Sequence, residues 1–537
     1  MFNKKQKETC NNMNGQADRG QTPCRSDMGS DPRPPACPPL LPVDADLATN
    51  KKLLQEMLGD SSDIKIREFE FGKGKRHKAL VLFVDGLADA DIVNHQIIEP
   101  IMYSDRMGSR FSKEKTESLQ GILETLITVG EVQEVGTVEE AVEGVLTGDT
   151  ALFIDGEVQC FVLGSKGFDK RSIEQPDSEV VVRGPKESFN ENIRTNTSLL
   201  RRKIKNPMLR MESMTIGERT KTPIEIVYIK NLVKPGLIEE IKKRLNQIDT
   251  DCILDSGYIE QYIEDAPYSI FPTVGHTEKP DVLAAKILEG RAGILVDGSP
   301  VAITMPFLFI ENFQSAEDYY TRPWFSSLIR AYRFLAFALC VFVPAFYVAL
   351  TTFHQGIIPT KLLYTMAAAR QGVPFSAFFE SIVMLVMFEL LREAGLRMPK
   401  PVGQTIGIVG ALIMGDAAVS AGLVSAPLLI CIALSAVSGF VVSGLDSVQS
   451  LLRLAYLIVA ACLGGLGIMA CLFVTMVHMS SLQSFGQNYF QPISPLVPSD
   501  MKDTFVRAPL WKMILRPVGF SKNKVRFKSG GTHTNGR

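Results

Sequence analysis

The sequence predicts a duplicated α/β cytoplasmic region followed by an all-α polytopic membrane domain. Charged residues are concentrated in roughly the first 330 and about the last 40 of the 537 residues, and the stretch between them is strongly apolar. From about Ile64, short β-type runs alternate with helical patterns, and one such pattern occurs twice. The first observation separates a soluble region from a membrane region, and the second indicates a duplicated fold.

The N-terminal segment, residues 1–61, is predicted to be a disordered polar and proline-rich arm. It contains the run "DPRPPACPPLLP", and it is too poor in apolar residues to form a packed core. Its beginning, "MFNKKQKETC", lacks the apolar core of a signal peptide. We therefore expect the soluble region to lie on the cytoplasmic side.

The duplication is clearest in two stretches that align without a gap. "VLTGDTALFIDGEVQCFV" (145–162) matches "ILEGRAGILVDGSPVAIT" (287–304). Each has the pattern of a helix end, a glycine, a strand, an Asp-Gly turn and a second strand, which indicates a β-hairpin after a helix. The sequence therefore predicts two related α/β subdomains, at 62–190 and 208–325.

The aspartates of the two Asp-Gly turns, Asp155 and Asp297, are predicted to serve the turn backbone rather than catalysis. The basic loop "GKGKRHK" (72–78) lacks the spacing of a phosphate-binding loop, and the chain contains no nucleophile elbow. Its nine cysteines include no C-x-x-C pair, and its six histidines are scattered. The sequence therefore predicts no enzyme, no metal site and no cofactor.

The segment between the subdomains, 191–207, is predicted to be a basic linker helix. It follows an Arg-Gly-Pro turn and ends in a cluster of basic residues. The cluster fits either a solvated helix face or a contact with another subunit or the membrane. The candidate subunit-contact residues are Arg183, Gly184, Pro185, Arg201 and Arg202.

The apolar stretch begins after "EDYYTRPWFSSLIR" (317–330). Residues 334–350 are apolar and, with their flanks, long enough to cross a hydrocarbon core, which needs about 20 helical residues. Aromatic and arginine side chains before this run suit the lipid headgroup region on the cytoplasmic side. These residues are Tyr319, Tyr320, Arg322, Trp324, Arg330, Tyr332 and Arg333.

The membrane domain is predicted to occupy 326–480, followed by a basic cytoplasmic tail at 481–537. Because both ends are expected inside, the number of spans must be even. The prediction is four spans, near 331–351, 403–422, 425–445 and 451–478, plus an amphipathic or re-entrant helix at 375–395. A short basic loop at 391–401 conflicts with this arrangement, since it too favours the inner side.

Charged residues within these apolar segments are costly, by about 2.5–3.5 kcal/mol each on insertion scales. Asp416 lies among small residues in the second predicted span, and the segment 375–395 carries Glu380, Glu389, Arg392 and Glu393. Glu389 and Glu393 share a helix face, whereas Glu380 points away from Glu389 on an ideal helix. Two hypotheses follow: a water-lined ion path, or charges paired at a subunit interface.

The chain resembles the A subunit of the GerA family of spore germination receptors. Matching stretches include "VRGPKESFNENIRTNTSLLRRKIK", "SAEDYYTRPWFSSLIR", "QTIGIVGALIMGDAAVSAGLVSAP" and "RAPLWKM", and together the matches cover most of 60–515. Asp416 stands where relatives are expected to carry a neutral polar residue, often glutamine. A polar path through Asp416 would therefore belong to this subgroup only.

The resemblance implies a multi-pass protein of the spore inner membrane with both terminal regions in the cytoplasm. The partners it implies are a transporter-like B subunit that binds the nutrient, a lipoprotein C subunit, membrane lipid and further copies of the chain. It also implies self-association, as a pentamer, into a nutrient-gated channel for monovalent cations. Nucleic acid is not an expected partner, because the net charge is −1 and the soluble part has no basic aromatic patch.

With this resemblance, the segment 317–330 looks like a joint between a cytoplasmic ring and a pore, with a simple membrane anchor as the alternative. The candidate coupling residues are Tyr319, Tyr320, Arg322, Pro323 and Trp324. Two other classes of protein stay open: a solute transporter with a regulatory cytoplasmic domain, and a membrane scaffold without ion flux. The visible duplication lies in the soluble half, which counts against a transporter.

Overall fold

The computed structural model describes most of the chain, and its architecture lies in one compact unit that begins at Pro42. The described residues are 41–71, 77–102, 127–167, 175–176, 179, 181–397, 415–523 and 525–526.

The first repeat is a helix followed by a five-stranded antiparallel sheet with strand order β1-β2-β4-β5-β3. Helix α3 packs on one face of the sheet, where it shares an apolar core with α1. The elements are α1 (Leu47–Leu58), β1 (Ile64–Phe71), β2 (His77–Val84), a π-helical segment (Ile92–Ile98), α2 (Glu99–Met102), β3 (Val132–Val135), α3 (Val138–Leu146), β4 (Thr150–Ile154) and β5 (Cys160–Leu163).

The second repeat has the equivalent strand order, β6-β7-β9-β10-β8, and it too begins with a helix. This identity of topology confirms the duplication that the sequence predicts. The elements are α4 (Ile193–Lys203), β6 (Leu209–Ile216), β7 (Thr222–Ile229), α5 (Leu237–Asn246), α6 (Ser256–Ile263), β8 (Gly275–Thr277), α7 (Pro280–Leu288), β9 (Ala292–Val296) and β10 (Ala302–Met305).

Helix α1 lies within the segment that the sequence analysis assigned to a disordered arm. Asp46 caps the helix by accepting hydrogen bonds from the N–H groups of Ala48 and Thr49. Leu54 and Leu58, four residues apart and so on the same helix face, are fully buried in the core of the first repeat. The prediction of disorder is therefore wrong for Leu47–Leu58.

Each first helix is held by a buried asparagine that binds the backbone six residues earlier. Asn50 accepts a hydrogen bond from the Asp44 N–H (2.9 Å) and donates one to the Asp44 carbonyl (2.6 Å). Asn196 makes the same two bonds, with the same lengths, to Asn190. The segment predicted as a linker helix is thus the first helix of the second repeat, the counterpart of α1.

The two Asp-Gly turns also bind the first helix of their own repeat. The Asp155 carboxylate accepts a hydrogen bond from the Leu47 N–H (3.4 Å), and the Asp297 carboxylate accepts one from the Ile193 N–H (3.2 Å). Gly156 and Gly298 have φ values of 90° and 84°, which a glycine adopts without strain. The structure confirms the turn interpretation of both aspartates.

After the second repeat, a short helix α8 (Glu317–Tyr320) leads into a helical region. Two of its helices, α9 (Pro323–Thr352) and α13 (Asp446–Ser481), are long and apolar enough to cross a membrane. The others are α10 (Thr360–Arg370), α11 (Ala377–Arg397) and the shorter apolar α12 (Ala426–Gly439). Most of the predicted span at 403–422 lies outside the described residues.

Helix α13 folds back on itself at Gly464, whose φ of 60° and ψ of −142° are not helical. The hydroxyls of Tyr456 and Thr475 are 3.1 Å apart, although 19 residues of straight helix span about 28 Å. The two halves of α13 therefore run antiparallel. The prediction of a single span at 451–478 is wrong, because the apolar pattern hides a turn that depends on Gly464.

Helix α12 runs antiparallel to α9. The Ser435 hydroxyl donates to the Cys340 carbonyl (2.6 Å), and the Ser425 hydroxyl lies 3.3 Å from the Tyr347 hydroxyl. The numbering rises along α9 between these two contacts and falls along α12, so the two helices have opposite directions.

Helix α11 runs in the same direction as α12. Glu380 accepts hydrogen bonds from Ser425 at the start of α12, and the ring of Phe388 lies 6.1 Å from that of Phe440 just after its end. Helix α11 is thus an antiparallel neighbour of α9, and the amphipathic or re-entrant role of 375–395 stays a prediction.

The tail is folded onto the second repeat. It begins with a small hairpin, β11 (Gln483–Ser484) and β12 (Gln487–Asn488), directly after α13. Further along, the Lys522 N–H donates to the Leu232 carbonyl (3.0 Å), and Arg526 pairs with Glu289 (2.5 Å). The described part of the tail is therefore a structural element that packs on the second repeat.

Candidate functional site: the joint between the cytoplasmic and membrane regions

We call the joint the segment 313–333 together with tail residues 503–507. Helix α9 begins here at Pro323, in the first helical position, where a proline loses no hydrogen bond. Arg322 precedes it with extended backbone, and its carbonyl accepts from the Ser326 N–H (3.0 Å). The backbone of Arg322 and Pro323 therefore sets the direction in which the first long apolar helix leaves the α/β region.

A buried network of charges ties α9 to the tail. Arg330 is 0% exposed; its guanidinium donates to the Asp503 carboxylate (2.9 Å) and to the Asp318 carboxylate (3.3 Å). Arg333 binds the same Asp318 carboxylate (2.7 Å) and the Phe313 carbonyl (3.1 Å). The assignment of Arg330 to the lipid headgroup region is therefore wrong, because its charge is used inside the protein.

Tyr319 links this network to the rest of the joint. Its hydroxyl donates to the Asp503 carboxylate (2.8 Å), and burial together with that carboxylate raises the pKa of Tyr319 well above its ordinary value. Arg507 donates to the Tyr319 carbonyl (3.2 Å), and the Arg507 N–H donates to the Ser327 hydroxyl (3.0 Å). Tail residues thus hold α8 and the first turns of α9 together.

Tyr320 connects the joint to the Arg-Gly-Pro turn. Its hydroxyl donates to the Asp281 carboxylate (2.7 Å), and burial and this bond raise the pKa of Tyr320. Gly184, at φ 137°, packs so closely that an added Cβ would lie 2.7 Å from the Tyr320 ring. The Pro185 carbonyl accepts from the Lys279 ammonium (3.0 Å). Tyr320, a candidate coupling residue, therefore packs on Gly184. Gly184 and Pro185, two candidate subunit-contact residues, thus make contacts within their own chain.

Trp324 faces outward from the joint and is 84% exposed. Arg322 and Arg183 are also exposed. The other tryptophan of the chain, Trp511, is half-exposed in the tail, four residues after Arg507. Of the five coupling candidates, Tyr319 belongs to the buried network, Tyr320 binds Asp281 at the surface, and Trp324 provides an outer aromatic surface.

Arg201 lies at the contact between the two repeats. It is fully buried, and its guanidinium donates to the Asp63 carboxylate (2.6 Å) and to the Ser61 hydroxyl (3.0 Å). Its burial removes Arg201 from the surface, so its side chain is neither a solvated helix face nor available to a partner. Arg202 stays partly exposed and pairs with Glu187 (3.3 Å).

Glu225 forms a second polar contact between the repeats. This buried carboxylate accepts from the Ser62 hydroxyl (2.7 Å) and from Arg194 (3.3 Å), and Arg194 also lies 3.7 Å from Asp85. Burial raises the pKa of Glu225 despite these partners. The two repeats are thus joined by directional bonds that fix their relative position.

The Glu380 carboxylate has three hydrogen-bond donors at the place where α11 contacts the start of α12. It accepts from the Ser425 N–H (3.1 Å), from the Ser425 hydroxyl (2.9 Å) and from Arg370 (3.3 Å). The carboxylate therefore caps the start of α12, where a negative charge is favoured by the helix dipole.

Glu389 belongs to a separate cluster in the C-terminal half of α11. Its carboxylate accepts from Arg453, from Arg392 (2.9 Å) and from the Ser450 hydroxyl (2.8 Å). Arg453 is buried, so this pair holds α11 against the first half of α13. The structure thus brings Arg392 and Glu389 together, and Glu380 lies elsewhere.

Glu393 and Asp416 lie outside both clusters. Glu393 is exposed and pairs with Arg397 (2.6 Å). Asp416 is exposed on a helical turn at 415–420. Among the described residues, no hydrogen bond or ion pair joins Asp416 to the other four candidates. The same part of the chain contains no group of three or more His, Cys, Asp or Glu residues that could hold a metal ion.

Sequence reasoning missed Asp318, Asp503 and Arg507 as members of the joint. Asp318 and Arg330 are 12 residues apart, and Arg330 and Asp503 are 173 apart, so no local period relates them. The available signal was the "RAPLWKM" stretch, which begins at Arg507 and matches the family although it lies beyond the membrane helices.

The fold and the joint define a membrane-associated protein with a duplicated α/β N-terminal region. A family model described as "Bacillus/Clostridium GerA spore germination protein" matches residues 52–518, and the chain belongs to this family. It is 40% identical to spore germination protein KA of Bacillus subtilis (strain 168), over 90% of this chain and 88% of that one. It is 38% identical to spore germination protein GerLA of Bacillus cereus, over 89% and 96%.

A solved structure is also similar to this chain. It is the N-terminal domain of the A subunit of the Bacillus megaterium spore germinant receptor GerK3, with 34% sequence identity and a TM-score of 0.40. The match covers 50% of this chain and 98% of that one.

Proposed function

We propose that the chain is the A subunit of a nutrient germinant receptor in the spore inner membrane. In this proposal it assembles with further copies of itself, as a pentamer, and with B and C subunits. The assembly forms a nutrient-gated channel for monovalent cations. Family membership supports the role in spore germination, and two long apolar helices support a location in a membrane.

The observation that carries the proposal is the construction of the joint. One network of buried charges connects α8, the first membrane helix and the tail, and the tail is bound to the second repeat. Removing one partner from such a buried pair costs about 3–5 kcal/mol, because a charge is left without a counterion. The parts therefore move together, and a rearrangement in the cytoplasmic region would be transmitted to α9.

The directions of the described helices support five crossings, by α9, α11, α12 and the two halves of α13. Because α11 and α12 run in the same direction, we propose a sixth crossing between them, at the span predicted near 403–422. This arrangement replaces the predicted four spans and re-entrant helix. It keeps both ends on one side, and it also places the basic loop 391–401 on the inner side. The loop 353–376, with Lys361 and Arg370, then lies outside, so the positive-inside rule is satisfied for the loop 391–401 and the tail but not for this loop.

The first test is potassium release from spores after addition of the activating nutrient. Deletion of the chain is expected to abolish release, and Asp416→Ala is expected to change its rate at matched protein level. Asp416→Gln is the matched control, because relatives are expected to carry a neutral polar residue there. Intact release after deletion contradicts the channel role, and unchanged release with Asp416→Ala removes that residue from the ion path.

Trp324→Ala separates coupling from simple anchoring. If the side chain only anchors the protein, the variant is expected to have a reduced level in the membrane. If it takes part in coupling, the variant is expected to be present at normal level and to release less potassium. Because Trp324 is exposed, its removal leaves the buried network unchanged.

A further inference from the structure

The 266–272 loop, with the sequence "APYSIFP", lies between α6 and β8 and touches the end of the last apolar helix. The Ser269 hydroxyl lies 2.9 Å from Nε2 of His478, and the centroids of the Phe271 and His478 rings are 6.1 Å apart. His478 is in the last turn of α13, which ends at Ser481. The loop therefore lies at the level where α13 ends.

A β-turn directs Tyr268 away from the protein. The Ser269 N–H donates to the Ala266 carbonyl (2.9 Å), and Pro267 occupies the first central position of the turn, where proline is favoured. Tyr268 occupies the second central position and is 101% exposed. Phe271, by contrast, is buried in the core where the second repeat meets α9 and α13. The loop is thus held from inside, and its tyrosine points outward beside the end of α13.

The two ends of the second repeat differ in composition. The loop leads into Gly275, which pairs with Thr304 near the end of β10. Because β9 runs antiparallel to β10, β9 finishes at the other end of the sheet, where β7 begins (Ile224 opposite Val296). The turn before β7, residues 217–221, is therefore at the far end of the repeat.

That far turn is charged, whereas the loop beside α13 is not. The turn reads "GERTK", with three charged residues of five, and the loop has none in seven. Charged residues suit an end of the repeat that faces water. An uncharged end with an exposed aromatic residue is the composition of protein surfaces at a membrane interface.

The exposed apolar surface of α13 continues into this loop. Val474 lies four residues before His478, on the same face of the helix, and is 64% exposed. Val477, next to His478, is also exposed. The bond between Ser269 and His478 places Ile270 and Tyr268 beside this surface. The same environment that covers the apolar side of α13 therefore reaches the loop.

The two acidic residues before the loop are bound within the protein. The Asp265 carboxylate pairs with Arg244 (2.7 Å) and accepts from the Phe485 N–H (2.6 Å). The Glu264 carboxylate accepts from the Thr273 N–H (3.3 Å), and burial raises the pKa of Glu264. Neither charge is therefore directed at a lipid headgroup near Tyr268.

We propose that the 266–272 loop is a lipid contact of the second repeat, separate from the membrane helices. Tyr268 enters the headgroup region beside the end of α13, with its ring on the acyl chains and its hydroxyl among the polar groups, an arrangement that suits the amphipathic tyrosine side chain. The contact holds the second repeat against the membrane. This inference rests on the membrane location in the proposed function and does not depend on ion conduction.

The experiment measures the quenching of tryptophan fluorescence by brominated lipid. The full-length protein is placed in phosphatidylcholine nanodiscs, with or without bromine on the acyl chains close to the headgroup. Tyr268→Trp adds one tryptophan at an exposed position, and its emission is obtained by subtracting that of the parent protein. We expect the added emission to be lost in brominated lipid.

Two matched variants serve as controls. Arg219→Trp adds an exposed tryptophan in the far turn and is expected to keep its emission in brominated lipid. Phe473→Trp adds one at a position of α13 that is 71% exposed, and it is expected to be quenched because this helix crosses the bilayer. The first control measures non-specific quenching, and the second tests the membrane location itself.

Three results would overturn the proposal. In the first, Tyr268→Trp keeps its emission while Phe473→Trp is quenched, which leaves the membrane location intact. In the second, Tyr268→Trp keeps its emission and that emission is shifted to shorter wavelength, which shows that protein and not lipid covers the loop. In the third, Arg219→Trp is quenched as strongly as Tyr268→Trp. Unquenched emission from Phe473→Trp would instead contradict the membrane location, and the proposed function would fail with it.

Discussion

The two repeats share the features that determine their fold and differ in the features that connect them to the membrane. Both have the same strand order, a buried asparagine that holds the first helix, and an Asp-Gly turn bound to that helix. Only the second repeat is contiguous with the joint and carries the tail. What occurs twice is therefore structural, and what occurs once is the better candidate for function.

One aligned position shows this difference directly. Asp149 of the first repeat corresponds to Arg291 of the second in the gapless alignment. Asp149 pairs with the half-exposed Lys166 (3.0 Å). Arg291 is buried, binds Glu311 at the approach to the joint, and lies over the Phe520 ring of the tail (4.2 Å). At this position the first repeat has a carboxylate near the surface, whereas the second repeat has a buried cation that contacts Glu311 and the tail.

The largest effect is expected when this junction is broken. Arg291→Met leaves the buried Glu311 with Lys286 (3.2 Å) as its remaining cation, and the free energy of unfolding is expected to fall by about 3–5 kcal/mol. Asp149→Asn, at the equivalent position, is expected to cost about 0–1 kcal/mol, because Lys166 is half-exposed. Denaturant unfolding of the full chain measures both. Equal losses at the two positions would contradict the division between structural and functional features.

A medium and equal effect is expected at the duplicated asparagines. Asn50→Ala and Asn196→Ala each remove the two hydrogen bonds that a buried amide makes to the backbone of the preceding loop, at a cost of about 1–3 kcal/mol. Asn94→Ala, at an exposed position, is the control and is expected to be neutral. The same unfolding measurement applies, and a large difference between the two repeats would show that the asparagines have different roles.

The effect that is confined to one range of pH arises in the second repeat. Burial, with the charges of Glu264 and Asp255, raises the pKa of Glu260 to about 7, from an ordinary value of 4.5. The folded protein therefore binds a proton that the unfolded chain has lost, and stability falls as the pH rises from about 4.5 to 7. Glu260→Gln is expected to raise the melting temperature at pH 8 and to change it little at pH 5. A pH-independent difference would refute this assignment.

The fold of the two α/β repeats was largely predictable, because strands, turns and helix caps are local features. The 145–162 and 287–304 stretches identified the duplication, and the Asp-Gly turns lie where the pattern placed them. Helix α1 was missed because the proline-rich run before it dominated the composition. The reversal at Gly464 was missed because both halves of α13 are equally apolar.

The joint could be predicted in position but not in mechanism. Its aromatic and arginine residues marked the change from charged to apolar sequence, and the first long apolar helix begins among them at Pro323. What local patterns cannot show is that Arg330 is neutralised by Asp503, far along the chain, and not by lipid headgroups. The candidate ion-path residues stay predictions, since Asp416 is exposed and Glu380 and Glu389 are paired within the chain.

The central claim is that the joint couples the cytoplasmic region to the first membrane helix. The most direct measurement is potassium release per receptor from spores carrying Tyr319→Phe, which removes only the hydroxyl that binds Asp503. Tyr258→Phe, at an exposed position of the same repeat, is the control. Normal membrane level with slower release in Tyr319→Phe alone is the predicted result. Normal release at normal level would contradict coupling through this network.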